Sequence, residues 1–249
     1  MAKSKEVEKN DEIVIDLGSF VIPFAIIVAG LLIAGAILIS NKKDKTSEIQ
    51  DPENKGAVAQ DEFVAAETVI GDDPYLGNIK KAKVAIVEFT DYQCSFCQRH
   101  SQEVKGKLID NYVNKDKAIY VFRSFPLDFH GQLAIDTANA VLCVNEIGGL
   151  EKFAEYISKA YMLTSNEQLA SVAKDIGGID IGKLETCMSS LKYKAQVDKG
   201  FTDGTAAGVQ GTPGFIVGVL DKDGNVRGKL IAGAYPYESF VEVLDEYLK

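Results

Sequence analysis

The chain has 249 residues, 46% of them hydrophobic and 25% charged, with a formal net charge of −9 at pH 7. That acidic balance argues against nucleic acid as a partner, because phosphate binding needs clustered Lys and Arg. Four cysteines are too few to staple a chain of this size as a disulfide scaffold.

Residues 1–18 read as a short N-terminal tail. From Leu17 to Asn41 no charged residue occurs, and Phe20–Ser40 reads FVIPFAIIVAGLLIAGAILIS. A membrane-crossing helix needs about 20 apolar residues, whereas the apolar part of a cleaved signal peptide is only about 7–15 long. No small-x-small cleavage site follows, so residues 19–40 are expected to form an uncleaved transmembrane anchor. Charge does not orient it: Lys3, Lys5 and Lys9 precede the run, and Lys42, Lys43 and Lys45 follow. Residues 41–66, rich in Lys, Asp, Glu, Gln and Ala, read as a polar linker. The folded domain is expected over residues 67–249, a length that suits one core.

Within it, Ala82–Thr90 (AKVAIVEFT) has the β-branched composition and short length of a buried strand. Ser95 to about Val113 is expected as a helix leaving directly from the first cysteine pair. Ala118–Phe125 (AIYVFRSF) is a second buried strand, closed by Pro126. A long helical stretch follows, with Leu150, Phe153, Ile157, Ala160 and Tyr161 on one face and Ile181, Leu184, Cys187, Met188 and Leu191 on another. Gly148-Gly149 and Gly177-Gly178 punctuate it. A helix over 194–207 leads to Gly211-Thr212-Pro213. The segment GFIVGVL (214–220) is a strand, DKDGN (221–225) a hairpin turn, Val226–Ala234 the paired strand, and Glu238–Leu248 a closing helix. Strands alternating with helices, ending in a hairpin, predict an α/β fold with a mixed sheet.

The chemistry concentrates in DYQCSFCQRH, residues 91–100. Structural zinc takes four ligands, often as two close pairs, and only Cys94 and Cys97 are paired here; no metal and no cofactor is expected. Cys94 follows a buried strand at the start of a helix, where unpaired N–H groups and the helix dipole stabilise a thiolate. Cys97, one turn on, lies on the same face, within reach of a disulfide. A CxxC beside a strand–helix pattern signals a thioredoxin-like redox motif. Glu88 stands on an otherwise apolar strand, either turned to solvent or buried beneath the cysteines as a proton acceptor. Thr212-Pro213 opens a strand, as an ordinary trans turn or as a cis peptide. Phe96 between the cysteines is a candidate substrate contact. His100 reads as a solvated or packing residue, and His130 as structural, helping to start the insertion.

Together DDPYLGN (72–78), VAIVEFTDYQCSFCQRH (84–100), FRSFPLDFH (122–130) and GVQGTPGFIVG (208–218) resemble the DsbA-like thioredoxin-fold thiol–disulfide oxidoreductases, in their membrane-anchored or lipoprotein branch. The resemblance covers about residues 68–249. It implies a thioredoxin-like mixed sheet with a helical insertion over about 131–192. It implies Cys94 as solvent-exposed nucleophile, Cys97 as resolving cysteine, Thr212-Pro213 as the cis-proline loop that pairs with a substrate backbone, and Glu88 as the buried acid serving Cys97. The sequence departs from that branch at Ser95-Phe96, where Pro-Phe or Pro-His is common; no histidine there stabilises the thiolate. Cys143 and Cys187 read either as buried small hydrophobes or as a structural disulfide of the insertion, such as many relatives carry.

The function this implies is a membrane-tethered oxidase of reduced or misoxidised extracytoplasmic proteins. By the same analogy it is reoxidised by a membrane quinone reductase of DsbB-like or VKOR-like type. The alternatives are a disulfide reductase or isomerase fed with electrons, and a tethered thioredoxin-fold chaperone or binding module; isomerases of this superfamily usually carry a dimerisation domain, for which residues 41–66 are too short and polar.

Overall fold

The computed structural model describes residues 63–249; the tail, the expected anchor at 19–40 and nearly all of the linker lie outside the described residues. Among the described residues, no helix is long and apolar enough to cross a membrane. The chain runs β1 (Ala65–Val69), β2 (Tyr75–Leu76) and β3 (Val84–Thr90), then helices α1 (Ser95–Glu103) and α2 (Lys105–Leu108) and strand β4 (Ala118–Ser124). Helices α3 (Gly131–Lys159), α4 (Asn166–Ile176), α5 (Ile181–Ser189) and α6 (Lys194–Ala206) follow. Strands β5 (Gly214–Leu220) and β6 (Asn225–Ala232) and helix α7 (Tyr237–Leu248) complete it.

The described strands form a mixed six-stranded sheet in the order β1-β6-β5-β3-β4-β2. Every residue of β3 and β4 is buried, as their largely apolar composition suits central strands, Glu88 and Arg123 included. They pair in parallel, Val84 opposite Ala118 through Thr90 opposite Ser124, which demands the helical crossover between them. β5 lies antiparallel on the other side of β3, with Phe215 opposite Glu88. The turn into β6 is closed by Asp221, whose Oδ1 accepts from the Asp223 and Asn225 amides. One face of the sheet is covered by α1, α2, α7 and the insertion, through Cys97, Leu108, Phe153, Phe240 and Leu244. The other packs Val87, Phe89, Ile119, Val121 and Phe125 with Phe201 of α6.

Three features differ from expectation. The helix foreseen over 95–113 breaks at Val104 (φ −120°, ψ −48°) and continues as α2 and a π turn over Ile109–Val113. The break brings the Lys105 side chain into the interior. Strand β1 begins at Ala65, inside the stretch read as linker, because Ala65–Val69 pairs with Lys229–Asn225 and so continues the sheet. The short strand β2 pairs Tyr75 with Val121 at the opposite edge.

The insertion consists of α3, kinked at Gly149 (φ 72°), with α4 and α5 packed on it. A disulfide joins Cys143 of α3 to Cys187 of α5, with the Cα atoms 6.0 Å apart. α6 returns across the opposite face of the sheet, and glycine lets it approach. A Cβ on Gly200 would strike the Ser124 carbonyl oxygen, and one on Gly204 would lie 2.7 Å from the Phe125 and Phe89 rings.

Candidate active site

β3 delivers the chain to the site, and Asp91-Tyr92-Gln93 turns it into α1. The Asp91 carboxylate accepts from the Gln93 amide at 2.7 Å, and its backbone oxygen accepts from the Cys94 amide at 3.1 Å. Cys94 is the N-cap of α1: its carbonyl accepts from the Gln98 amide at 3.1 Å, while no side chain caps the helix. The amides of Phe96 and Cys97 are thereby left to face the Cys94 sulfur. Both cysteines are free thiols. Cys97 is wholly buried and Cys94 keeps 6% of its surface. Cys94 is the accessible member of the pair but is more enclosed than the solvent-exposed nucleophile expected, because the Thr212-Pro213 loop lies over it.

That loop comes from 118 positions along the chain. The Thr212–Pro213 peptide is cis, and the Cys94 thiol donates to the Thr212 carbonyl oxygen at 3.3 Å. The Thr212 hydroxyl is buried, with no hydrogen-bond partner among the described residues, and its nearness favours the Cys94 thiolate.

The two thiols are driven apart in acidity. Cys94 is lowered from 9.0 to about 5, first by the hydrogen bond that the Cys97 thiol donates to its thiolate, then by Thr212 and the two helix amides, against the opposing effect of burial. Cys97 is pushed strongly upward, chiefly by burial, then by the Cys94 thiolate and the Glu88 carboxylate. One sulfur is prepared to attack and to leave as an anion, and the other to hold its proton.

Glu88 is fully buried, which settles its orientation: desolvation raises its carboxyl, while Lys105, Tyr120 and Thr90 oppose the rise. Tyr120 donates to Glu88 Oε2 at 2.8 Å, and His100 Nε2 lies 3.0 Å from the Tyr120 hydroxyl. His100 is not solvated. It packs between Phe215 and Phe240, and burial holds its imidazole at about 3, so it is neutral. Lys105 is the member of this cluster that sequence reasoning missed. Its ammonium sits over the Phe122 and Tyr161 rings, at 5.6 and 5.7 Å from their centroids, and acts electrostatically on Glu88. A lysine in the middle of a helix expected over 95–113 gives no signal of turning inward; only the break at Val104 does that.

Phe96 is 54% exposed beside Cys94, with the Arg99 guanidinium 5.0 Å from its ring centroid. Asp91, also missed, is buried and bonded to His130 at 2.7 Å. Cys143 and Cys187 lie in the insertion, away from these groups, in their own disulfide. Joined as a disulfide, the pair would take an incoming thiolate at Cys94 and release Cys97 with the electron pair of the broken bond.

The sequence pattern of the thioredoxin family matches residues 70–246. A candidate protein-disulfide oxidoreductase of Rickettsia felis is 26% identical over 167 residues, covering 64% of this chain and 58% of that protein. The chain thus spans little more than half the length of that relative. The crystal structure of oxidised BdbD from Bacillus subtilis shares the fold, with a TM-score of 0.63 at 22% identity over 75% of this chain and 98% of that one. The thiol–disulfide exchange protein alpha-DsbA2 of Wolbachia pipientis gives a TM-score of 0.56 at 26% identity, covering 70% and 86%. With its pattern matched from just after β1 into α7, across both cysteines and the cis-proline, the chain belongs to the thioredoxin family.

Proposed function

We propose that this protein is a DsbA-like thiol–disulfide oxidoreductase that forms disulfides in extracytoplasmic proteins, tethered to the cell membrane by residues 19–40. In its oxidised form a substrate thiolate attacks the Cys94 sulfur; the Cys94–Cys97 bond breaks and Cys97 leaves with the electron pair. Cys97 takes a proton, for which Glu88 is the neighbouring acid, so that a mixed disulfide remains at Cys94. A second substrate thiolate then attacks the substrate sulfur and expels the Cys94 thiolate. The substrate has lost two electrons, and the protein is left as the dithiol.

The observation that carries this reading is the opposed environment of the two sulfurs: Cys94 caps the N-terminus of α1 against the cis Thr212–Pro213 loop, its thiol lowered to about 5, while Cys97 is wholly buried and its thiol pushed upward. A stabilised thiolate favours the reduced form of the protein and makes its disulfide oxidising, and a low leaving-group pKa speeds release from the mixed disulfide. Thr212-Pro213 and the exposed Phe96 are the proposed substrate contacts, the loop pairing with a peptide backbone and Phe96 meeting apolar segments. The Cys143–Cys187 disulfide supports an oxidising compartment and so an extracytoplasmic domain. Reoxidation falls to a membrane quinone reductase of DsbB-like or VKOR-like type.

A redox titration of Cys94–Cys97 against glutathione tests the direction. A potential near about −120 mV is expected for an oxidase, and one near about −270 mV would instead make the protein a reductase.

A further inference from the structure

Asp91 and His130 take no part in the exchange steps above, yet they join the cysteine turn to the insertion. The Asp91 carboxylate, with no exposed surface, accepts three hydrogen bonds of 2.7 Å: from the Gln93 amide, the Leu127 amide and His130 Nδ1. His130 is the residue immediately before α3, and its ring meets Phe129 edge-on at 4.4 Å. The main chain of Asp91 acts on both sulfurs' residues. Its oxygen holds the Cys94 amide, and its own backbone hydrogen-bonding favours the Cys97 thiolate. The insertion reaches the same turn at two further points. The Met162 amide, in a residue with φ 61°, donates to the Tyr92 carbonyl at 2.8 Å, and the Tyr161 and Thr90 hydroxyls lie 3.3 Å apart. Residues 90–92 are therefore gripped from outside the strand–helix unit that carries the cysteines.

We propose that Asp91 and His130 are positioning residues, a clamp through which the first turn of the insertion fixes the Asp91–Cys94 turn and hence the placement of both sulfurs. A buried carboxylate keeps its position only while its donors are in place. Without the His130 donor the turn loosens, and the Phe96 and Cys97 amides lose their alignment on the Cys94 sulfur. The inference rests on the exchange reading for its effect on rate, but sulfur placement is measurable separately.

The test is an ultraviolet titration of the Cys94 thiolate in the reduced full-length chain, with exchange rates and thermal melts, for wild type, His130→Ala and His130→Asn. The asparagine amide can stand where Nδ1 stands. His130→Ala is expected to weaken Cys94 ionisation about tenfold, an upward shift of about one pH unit, and to slow exchange about fivefold at pH 5 as the thiolate fraction falls. His130→Asn is expected to restore both. Should His130→Ala not fold, His130→Gln, whose amide sits one bond further out, takes its place with the same expected shift. A midpoint within about 0.2 pH units of wild type in the folded variant overturns the clamp. If wild type transfers no disulfide while the midpoint still moves, the exchange reading fails and the clamp stands. If wild type is active and the midpoint does not move, the reverse holds.

Discussion

Cys94 and Cys97 are the same residue one helical turn apart, and their difference is wholly environmental. Alkylation of the reduced protein should follow a single ionisation with a midpoint of about 5, the rate rising as pH climbs through it, because only the thiolate reacts. Cys94→Ser should abolish disulfide transfer in an assay on a reduced protein substrate. Cys97→Ser should instead leave Cys94 able to exchange and accumulate mixed disulfides, visible as slow-migrating species on non-reducing gels. The sequence supplied both cysteines and Glu88, but left Glu88 open between solvent and interior. Its burial follows from β3 being central, flanked by β4 and β5. Lys105 and Asp91 were illegible, because a charged residue in a helix or turn reads as exposed until something turns it inward.

Among the elements, β5 is legible in residues 214–220 to both its ends, and DKDGN marks the hairpin. Strands β1 and β2 were missed for a physical reason: they are short, half-polar edge strands whose stability comes from pairing with β6 and β4. The helix break at Val104 was equally hidden, since tertiary packing there overrides local helical preference. α6 offers a sharp test. Gly204→Ala should cost about 1–3 kcal/mol in denaturant unfolding, because its methyl group would strike the Phe125 and Phe89 rings. Replacing Cys143 and Cys187 together by Ser should cost about 2–4 kcal/mol, from the loss of a cross-link spanning 44 positions, with the Cys94 titration unchanged.

At the scale of the whole molecule, the depressed Cys94 thiol links stability to redox state. In the reduced protein its folded value is about 5 against 9.0 for the ordinary thiol. Its contribution to folding is thus complete above pH 9.0, declines as pH falls, and is lost below about 5. The oxidised protein has no such group. Reduced protein should therefore melt above oxidised protein at pH 7, with the gap narrowing toward pH 4, as paired calorimetric scans would show. A reduced form that melts lower at pH 7 would argue for the reductase direction. By itself the sequence determined the α/β class, the cysteine pair at a strand–helix junction and the distant Thr212-Pro213, because hydrophobic periodicity and motif spacing are local properties. Only the tertiary structure decided that Thr212 lies against Cys94, that Glu88 and Lys105 share one buried space, and that the insertion grips the cysteine turn through His130. Those facts depend on which surfaces exclude water together, and no local pattern encodes that.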